Sequence, residues 1–202
     1  MSARGSPKDS LKSKVKARRE DRLFLVAGPV AQECRRGSLY GLFMTELPMF
    51  DARGGSLVSL VRLDGVSVED ADESSPFACA LVVVEWGQRV LFGFNISRQQ
   101  WELPGGTVEE GESARDAALR ELAEETSIQA DRVSLVARAE FMFDGEATRY
   151  LAAVFAVVLG SDPELVESDE LHNFIWWDPM GELFNELSPL DAEVVRRCFA
   201  HA

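Results

Sequence analysis

Glu121, Glu124 and Glu125 lie three and four residues apart in ARDAALRELAEET, a segment rich in Ala, Leu, Glu and Arg. On a helix turning about 100° per residue, the three carboxylates share one stripe roughly 100° wide. Like charges at that spacing cost a few tenths of a kcal/mol per pair. A hard divalent cation reverses the penalty, because Mg²⁺ takes carboxylate oxygens together with waters and phosphate oxygens. Arg120, four residues before Glu124, can bond a carboxylate and hold its rotamer. A solvated acidic face would use the same helix residues, so the residues before the helix carry weight. Pro104-Gly105-Gly106 ends a strand-like run and lets backbone come close to a ligand. Glu112 stands where the following loop meets the helix.

The stretch Gly106 to Ile128, GTVEEGESARDAALRELAEETSI, resembles the Nudix box, G-x5-E-x7-R-E-U-x-E-E-x-G-U with U a bulky aliphatic residue. Gly106, Glu112, Arg120, Glu121, Leu122, Glu124, Glu125 and Ile128 fall on specified positions; Ser127 stands where the box has its last glycine. The box is short, but the strand pattern over 77–202 is also similar to that family's mixed sheet between helices.

The resemblance implies hydrolysis of a diphosphate linkage in a nucleoside diphosphate derivative, such as ADP-ribose, a nucleotide sugar or a modified nucleoside triphosphate. It implies Mg²⁺ as cofactor, with Mn²⁺ an alternative. The metal would be held by Glu121, Glu124, Glu125 and the Gly105 carbonyl, with Glu112 assisting at the metal or ordering the loop. Arg120 would orient Glu121. The general base would be a helix glutamate, Glu121 or Glu124, or a later acid, Glu167 or Glu170, in VESDELHNFIWW. Ser127 replaces a glycine expected to close the helix in a left-handed conformation, at a cost of about 1 kcal/mol to stability rather than to chemistry.

Other residues offer substrate contacts. Arg98 and Arg149 could meet phosphate, Gly106 could bring backbone to the ligand, and Trp101, Phe141, Phe143, Trp176 or Trp177 could stack on a nucleobase, with Phe143 the chosen candidate. Core packing and solvation are the commoner fates of such residues.

These residues need a frame. Ala78 to Glu85 (ACALVVVE) reads as a buried strand, Trp86-Gly87-Gln88 as a turn, and Arg89 to Phe94 as the returning strand. Gln100 to Leu103 is extended and stops at Pro104. A helix follows over about Ser113 to Thr126, with Ser113 as its N-cap. Val133 to Phe143 and Tyr150 to Leu159 form two strands around a turn at Asp144-Gly145, Phe174 to Trp177 forms another, and Leu190 to His201 a closing amphipathic helix. The expected fold is α/β, a Nudix-like α/β/α sandwich with a mixed sheet, over 77–202. Before it, 23–76 forms a subregion with strands at Leu23 to Val30, Leu39 to Met44 and Ser56 to Leu63, and an acidic loop from Asp64 to Pro76. This subregion could extend the sheet or, as in relatives that pair through N-terminal strands, form a homodimer contact.

Residues 1–22 hold eight Lys or Arg against three acids, a surplus of +5 that leaves −18 of the −13 total on the rest. A flexible basic tail on an acidic body is the expectation. The acidic body disfavours nucleic acid as a partner and suits a protein that recruits a cation before accepting a phosphorylated ligand. No apolar run is long enough for a membrane helix, and Met1 to Arg22, lacking an apolar core, is not expected to act as a secretory signal. Three scattered cysteines, Cys34, Cys79 and Cys198, fit a reducing cytoplasm. Isolated histidines, and the lack of G-x-S-x-G, G-x-x-x-x-G-K-[ST] or H-E-x-x-H, disfavour a zinc site, a triad or a P-loop. The rival reading is a regulatory module that senses a nucleotide on the same fold, with little catalysis. The intact set Arg120, Glu121, Glu124 and Glu125 favours the enzyme.

Overall fold

The computed structural model describes residues 46–63, 76–143 and 148–199, all within one compact unit. The expected basic tail, the strands at 23–30 and 39–44, the acidic loop over 64–75 and the turn at 144–145 lie outside them.

The strands are β1 (Met49–Phe50), β2 (Ser56–Arg62), β3 (Cys79–Trp86), β4 (Arg89–Asn95), β5 (Gln100–Glu102), β6 (Gly105–Thr107), β7 (Ser134–Met142), β8 (Tyr150–Val158) and β9 (Leu171–Trp177). The helices are α1 (Ala114–Thr126), between β6 and β7, and α2 (Pro189–Phe199), after β9. The sheet runs β1-β2-β7-β8-β3-β4-β5, with β6 also on β3 and β9 also on β4. It is mixed: β3 and β8 are parallel and the other pairs antiparallel.

A strand covered on both faces has no polar side, which is why ACALVVVE reads as unbroken apolar sequence. Ala80, Val82 and Val84 pack with α1, whereas Cys79, Leu81 and Val83 join the core beneath α2. In β7 a bulge between Leu135 and Ala137 changes the face served by alternate residues. Leu135 lies in the α1 core, and Ala137, Ala139 and Phe141 lie in the α2 core. The result is the expected α/β/α layering.

Both helices start on serine caps. Ser113 Oγ accepts from Asp116 N at 3.1 Å before α1, and Ser188 Oγ accepts from Asp191 N at 3.2 Å before α2, whose first residue is Pro189. Ala114, Ala117, Ala118 and Leu122 bury one side of α1 against the sheet. At its end Ser127 is left-handed, with φ of 64°, and its N–H donates to Ala123 O at 3.0 Å. The β3–β4 turn is made by Gly87 and Gln88, both at positive φ, the conformation a two-residue hairpin requires.

Two differences from the sequence reading bear on the site. Gly105 and Gly106 do not simply end a strand: with Thr107 they form β6 against Cys79–Leu81 of β3. Consequently β3 changes partner along its length, pairing with β4 only at Glu85 and Trp86. The sheet divides there into two wings. Strand β1, which carries no periodicity of its own, pairs Met49 and Phe50 with the start of β2.

Candidate active site

Strand β6 lies beside α1, and its two glycines explain how closely. Gly105 has φ of 152°, and a Cβ there would stand 2.3 Å from Ala80 O. A Cβ on Gly106 would stand 2.3 Å from Glu121 Oε1. The second glycine therefore makes room for a carboxylate. Gly105 N donates to Glu125 Oε2 at 2.8 Å, tying the strand to the buried end of the helix stripe.

Arg120 organises the exposed side of the stripe. Its Nε donates to Glu112 Oε1 at 2.8 Å and its Nη2 to Glu112 Oε2 at 3.0 Å, the two-pronged geometry that makes guanidinium–carboxylate pairs strong. Its Nη1 donates to Glu121 Oε1 at 2.7 Å and Glu124 Oε2 at 3.3 Å, and its Nη2 also reaches Thr107 O at 3.1 Å. Glu112 is held below the usual carboxylate range by these bonds, and it accepts from Glu109 N at 3.0 Å. It fastens the loop to the helix.

Burial pushes the Glu125 carboxyl up to about 8, and the charges of Glu121 and Glu170 push the same way against the Gly105 bond. Burial also raises Glu121, with Glu124 and Glu170 adding to it and Arg120 opposing. Of the two late acids, Glu170 is the one whose charge acts on Glu121 and Glu125. The Glu167 carboxylate accepts from Asn173 N at 2.9 Å, holding the start of β9.

Among the described residues no three acidic, histidine or cysteine side chains are already drawn into a metal cage. The donor set nevertheless fits a hard cation. Glu121, Glu124 and Glu125 are oxygen donors on one helix stripe; burial and neighbouring carboxylates raise Glu121 and Glu125, and Arg120 offsets part of the charge by bonding Glu121 and Glu124.

A second polar group forms around Arg98, and the sequence reading missed most of it. Arg98 Nη1 bonds Glu102 Oε2 at 2.5 Å, with the arginine side chain 61% exposed and the glutamate nearly buried. Burial raises Glu102 despite Arg98. Asp191 is pushed up to about 7, first by burial and then by the charge of Glu102, and its Oδ2 accepts from Leu103 N at 3.1 Å. Glu102 could have been found from its i,i+4 spacing to Arg98. Asp191 could not, since an acid in the first turn of a helix reads as a favourable dipole contact. Cys79 is half-buried nearby with its thiol pushed up to about 11 by desolvation, too high for a nucleophile at neutral pH.

The aromatic candidates separate by exposure. Trp177 is buried edge-on to Phe92, Trp176 packs on Trp86, and Trp101 on Phe94. Phe143 remains 46% exposed, stacked on Phe141 at 6.1 Å with 8° between planes and tilted against Tyr150. Arg149 pairs with Glu140 at 2.9 Å.

A family model for the NUDIX domain matches residues 75–198. The chain is 28% identical over 148 residues to an RNA pyrophosphohydrolase of Dinoroseobacter shibae, the alignment covering 61% of this chain and 90% of that protein. It is 33% identical over 113 residues to the Mycobacterium tuberculosis protein named "Putative 8-oxo-dGTP diphosphatase 2", covering 49% of this chain and 79% of that one. The crystal structure of a MutT NUDIX hydrolase from Burkholderia pseudomallei superposes with a TM-score of 0.51 at 21% identity, over 59% of this chain and 95% of that one, a likeness of fold. The chain belongs to the Nudix family. By class it is a pyrophosphohydrolase, an enzyme that cleaves a diphosphate linkage. No helix among the described residues is long and apolar enough to cross a membrane.

Proposed function

We propose that this chain is a Mg²⁺-dependent hydrolase, with Mn²⁺ an alternative, that acts in the cytoplasm on a nucleotide carrying a diphosphate linkage. A modified nucleoside triphosphate is favoured over ADP-ribose or a nucleotide sugar. The observation that carries the reading is the stripe Glu121, Glu124 and Glu125 set against a glycine strand, with two of its carboxyls raised by burial and mutual charge. The names of the two relatives support a nucleoside polyphosphate: one is an RNA pyrophosphohydrolase, the other is named for 8-oxo-dGTP.

In this reading Glu121, Glu124, Glu125 and the Gly105 carbonyl hold the cation, and Glu112 secures the loop beside it. When bound, the cation neutralises diphosphate oxygens and lowers the pKa of a water. The chain's residues do the rest. Arg120 keeps Glu121 and Glu124 turned toward the cleft. Glu170 suits the general base better than Glu167, because its charge acts on Glu121 and Glu125. Arg98, paired yet exposed, offers its outer edge to phosphate oxygens. Gly106 keeps side chains out of the ligand's way, and Phe143 presents an open ring to the base. A homodimer through the N-terminal strands completes the proposal.

The test is phosphate release, coupled to a phosphatase, from 8-oxo-dGTP, GTP, ADP-ribose, UDP-glucose and an RNA oligonucleotide with a 5′ polyphosphate. Wild type and Glu124→Gln are compared with and without Mg²⁺. Metal-dependent turnover that falls by orders of magnitude in the variant supports the reading and names the substrate class. Nucleotide binding without turnover across the panel would transfer the fold to a sensing role.

A further inference from the structure

Strand β2 lies outside the 75–198 match yet pairs with β7 inside it, and the turn before β2 carries an arginine that reaches across the molecule. The turn is self-braced. Asp51 Oδ1 accepts from Arg53 N at 2.9 Å and Gly55 N at 2.7 Å, and Asp51 N donates to Gly55 O at 2.9 Å. From this base Arg53 Nη1 donates to Arg98 O and Nη2 donates to Gln99 O at 3.1 Å. Both acceptors belong to the β4–β5 turn. In sheet order β2 and β4 are separated by β7, β8 and β3, so the two bonds tie the sheet's wings together over the ends of three strands. Phe143 and Tyr150 stand at those same ends, just after β7 and at the start of β8.

The turn that receives Arg53 is the one that aims Arg98. Asn95 Oδ1 accepts from Ser97 N and Arg98 N, both at 3.0 Å, which fixes its near side. On its far side Gln99 is at φ of 52°, an unfavourable conformation for a side chain larger than glycine. The carbonyls flanking that residue are the ones Arg53 holds. The Arg53 charge also acts on Glu102, the partner of Arg98.

We propose that Arg53 is a positioning residue for substrate binding. By strapping the β1–β2 turn to the β4–β5 turn it fixes the backbone from which Arg98 meets the phosphate chain of a nucleoside polyphosphate. The hairpin before the Nudix domain is then part of the binding machinery. This role rests on the proposed function, since Arg98 needs a phosphate to meet.

The experiment compares wild type, Arg53→Ala and Arg53→Lys on 8-oxo-dGTP and GTP, alongside amide hydrogen exchange of residues 95–100. Loss of the strap raises KM roughly tenfold in Arg53→Ala while kcat falls less than about threefold. Exchange in the turn rises by a similar factor, because local opening is no longer opposed. Arg53→Lys restores part of both, since an ammonium bonds one carbonyl where the guanidinium bonds two. A KM within twofold of wild type overturns the proposal, as does a loss of kcat and melting temperature with KM unmoved. If wild type hydrolyses neither probe nor any other member of the panel, the functional reading has failed and the positioning role goes with it. If wild type is active and only the KM effect is missing, the strap alone has failed.

Discussion

Gly106 and Glu121 occupy each other's space: the position a Gly106 side chain would take is 2.3 Å from Glu121 Oε1. Gly106 does not use the left-handed backbone that restricts Gly105, so Gly106→Ala is a steric probe of Glu121 with little backbone strain. The displaced atoms are the far end of a flexible side chain, and the melting temperature should drop by only a few degrees. Turnover should fall roughly 10- to 100-fold, in line with misplacing a group at the chemistry. Steady-state kinetics beside a thermal melt checks this, and full activity in the variant would mean that Glu121 is not needed where it stands.

Ser127 gives the opposite kind of prediction, a gain. It closes α1 at φ of 64° with its N–H on Ala123 O, a conformation in which a Cβ is a handicap. Ser127→Gly should stabilise the fold by about 0.5–1 kcal/mol, less the entropy that glycine returns to the unfolded chain. Urea unfolding measures the gain directly. Because Ser127 touches none of the box carboxylates, kcat should stay within about twofold; a larger change would show that the helix end reaches the site.

The box helix was legible because its message is local. A serine cap, small residues at helical spacing and three glutamates on one stripe survive whatever the rest of the chain does. Strand β3 was legible because burial on both faces leaves a continuous apolar run. The pairing of Gly105–Thr107 with β3 was not, since two glycines carry no strand propensity and the pairing is set by a partner more than twenty residues away. Asp191 and Glu102 were hidden for a similar reason. Each is unremarkable in its own segment, and they matter only because the fold brings the start of α2 against the end of β5. Arg53 is further still from local sequence logic, as its partners lie 45 and 46 residues on.

Arg120 makes five hydrogen bonds, two of them to the paired oxygens of Glu112 and the others to Glu121, Glu124 and Thr107 O, more than the three donors of an ammonium can supply. Arg120→Lys keeps the charge and loses the fork. The Mg²⁺ concentration for half-maximal rate should rise and kcat should fall on the order of tenfold or more, while Arg120→Ala should do worse on both counts. Titrating Mg²⁺ at saturating nucleotide separates the effects. Equal behaviour of Lys and Arg here would reduce Arg120 to a simple counter-charge.

Asp191 makes the fold sensitive to pH. Half-buried beside Glu102, its carboxyl is pushed up to about 7 by desolvation and the Glu102 charge, against an ordinary value of 3.8. Between those limits the folded chain binds more protons than the unfolded one, so this group's contribution to stability is complete below about pH 4, declines as pH rises toward 7 and is level above. Each tenfold change in proton affinity is worth about 1.4 kcal/mol, which puts the decline at a few kcal/mol. Asp191→Asn keeps a carbonyl oxygen for Leu103 N and removes the ionisation. Urea unfolding from pH 4.5 to 8 should therefore show the variant gaining on wild type as pH rises, with the gap levelling just above 7. A gap that is the same at every pH would mean that Glu102, rather than Asp191, keeps the pair's last proton.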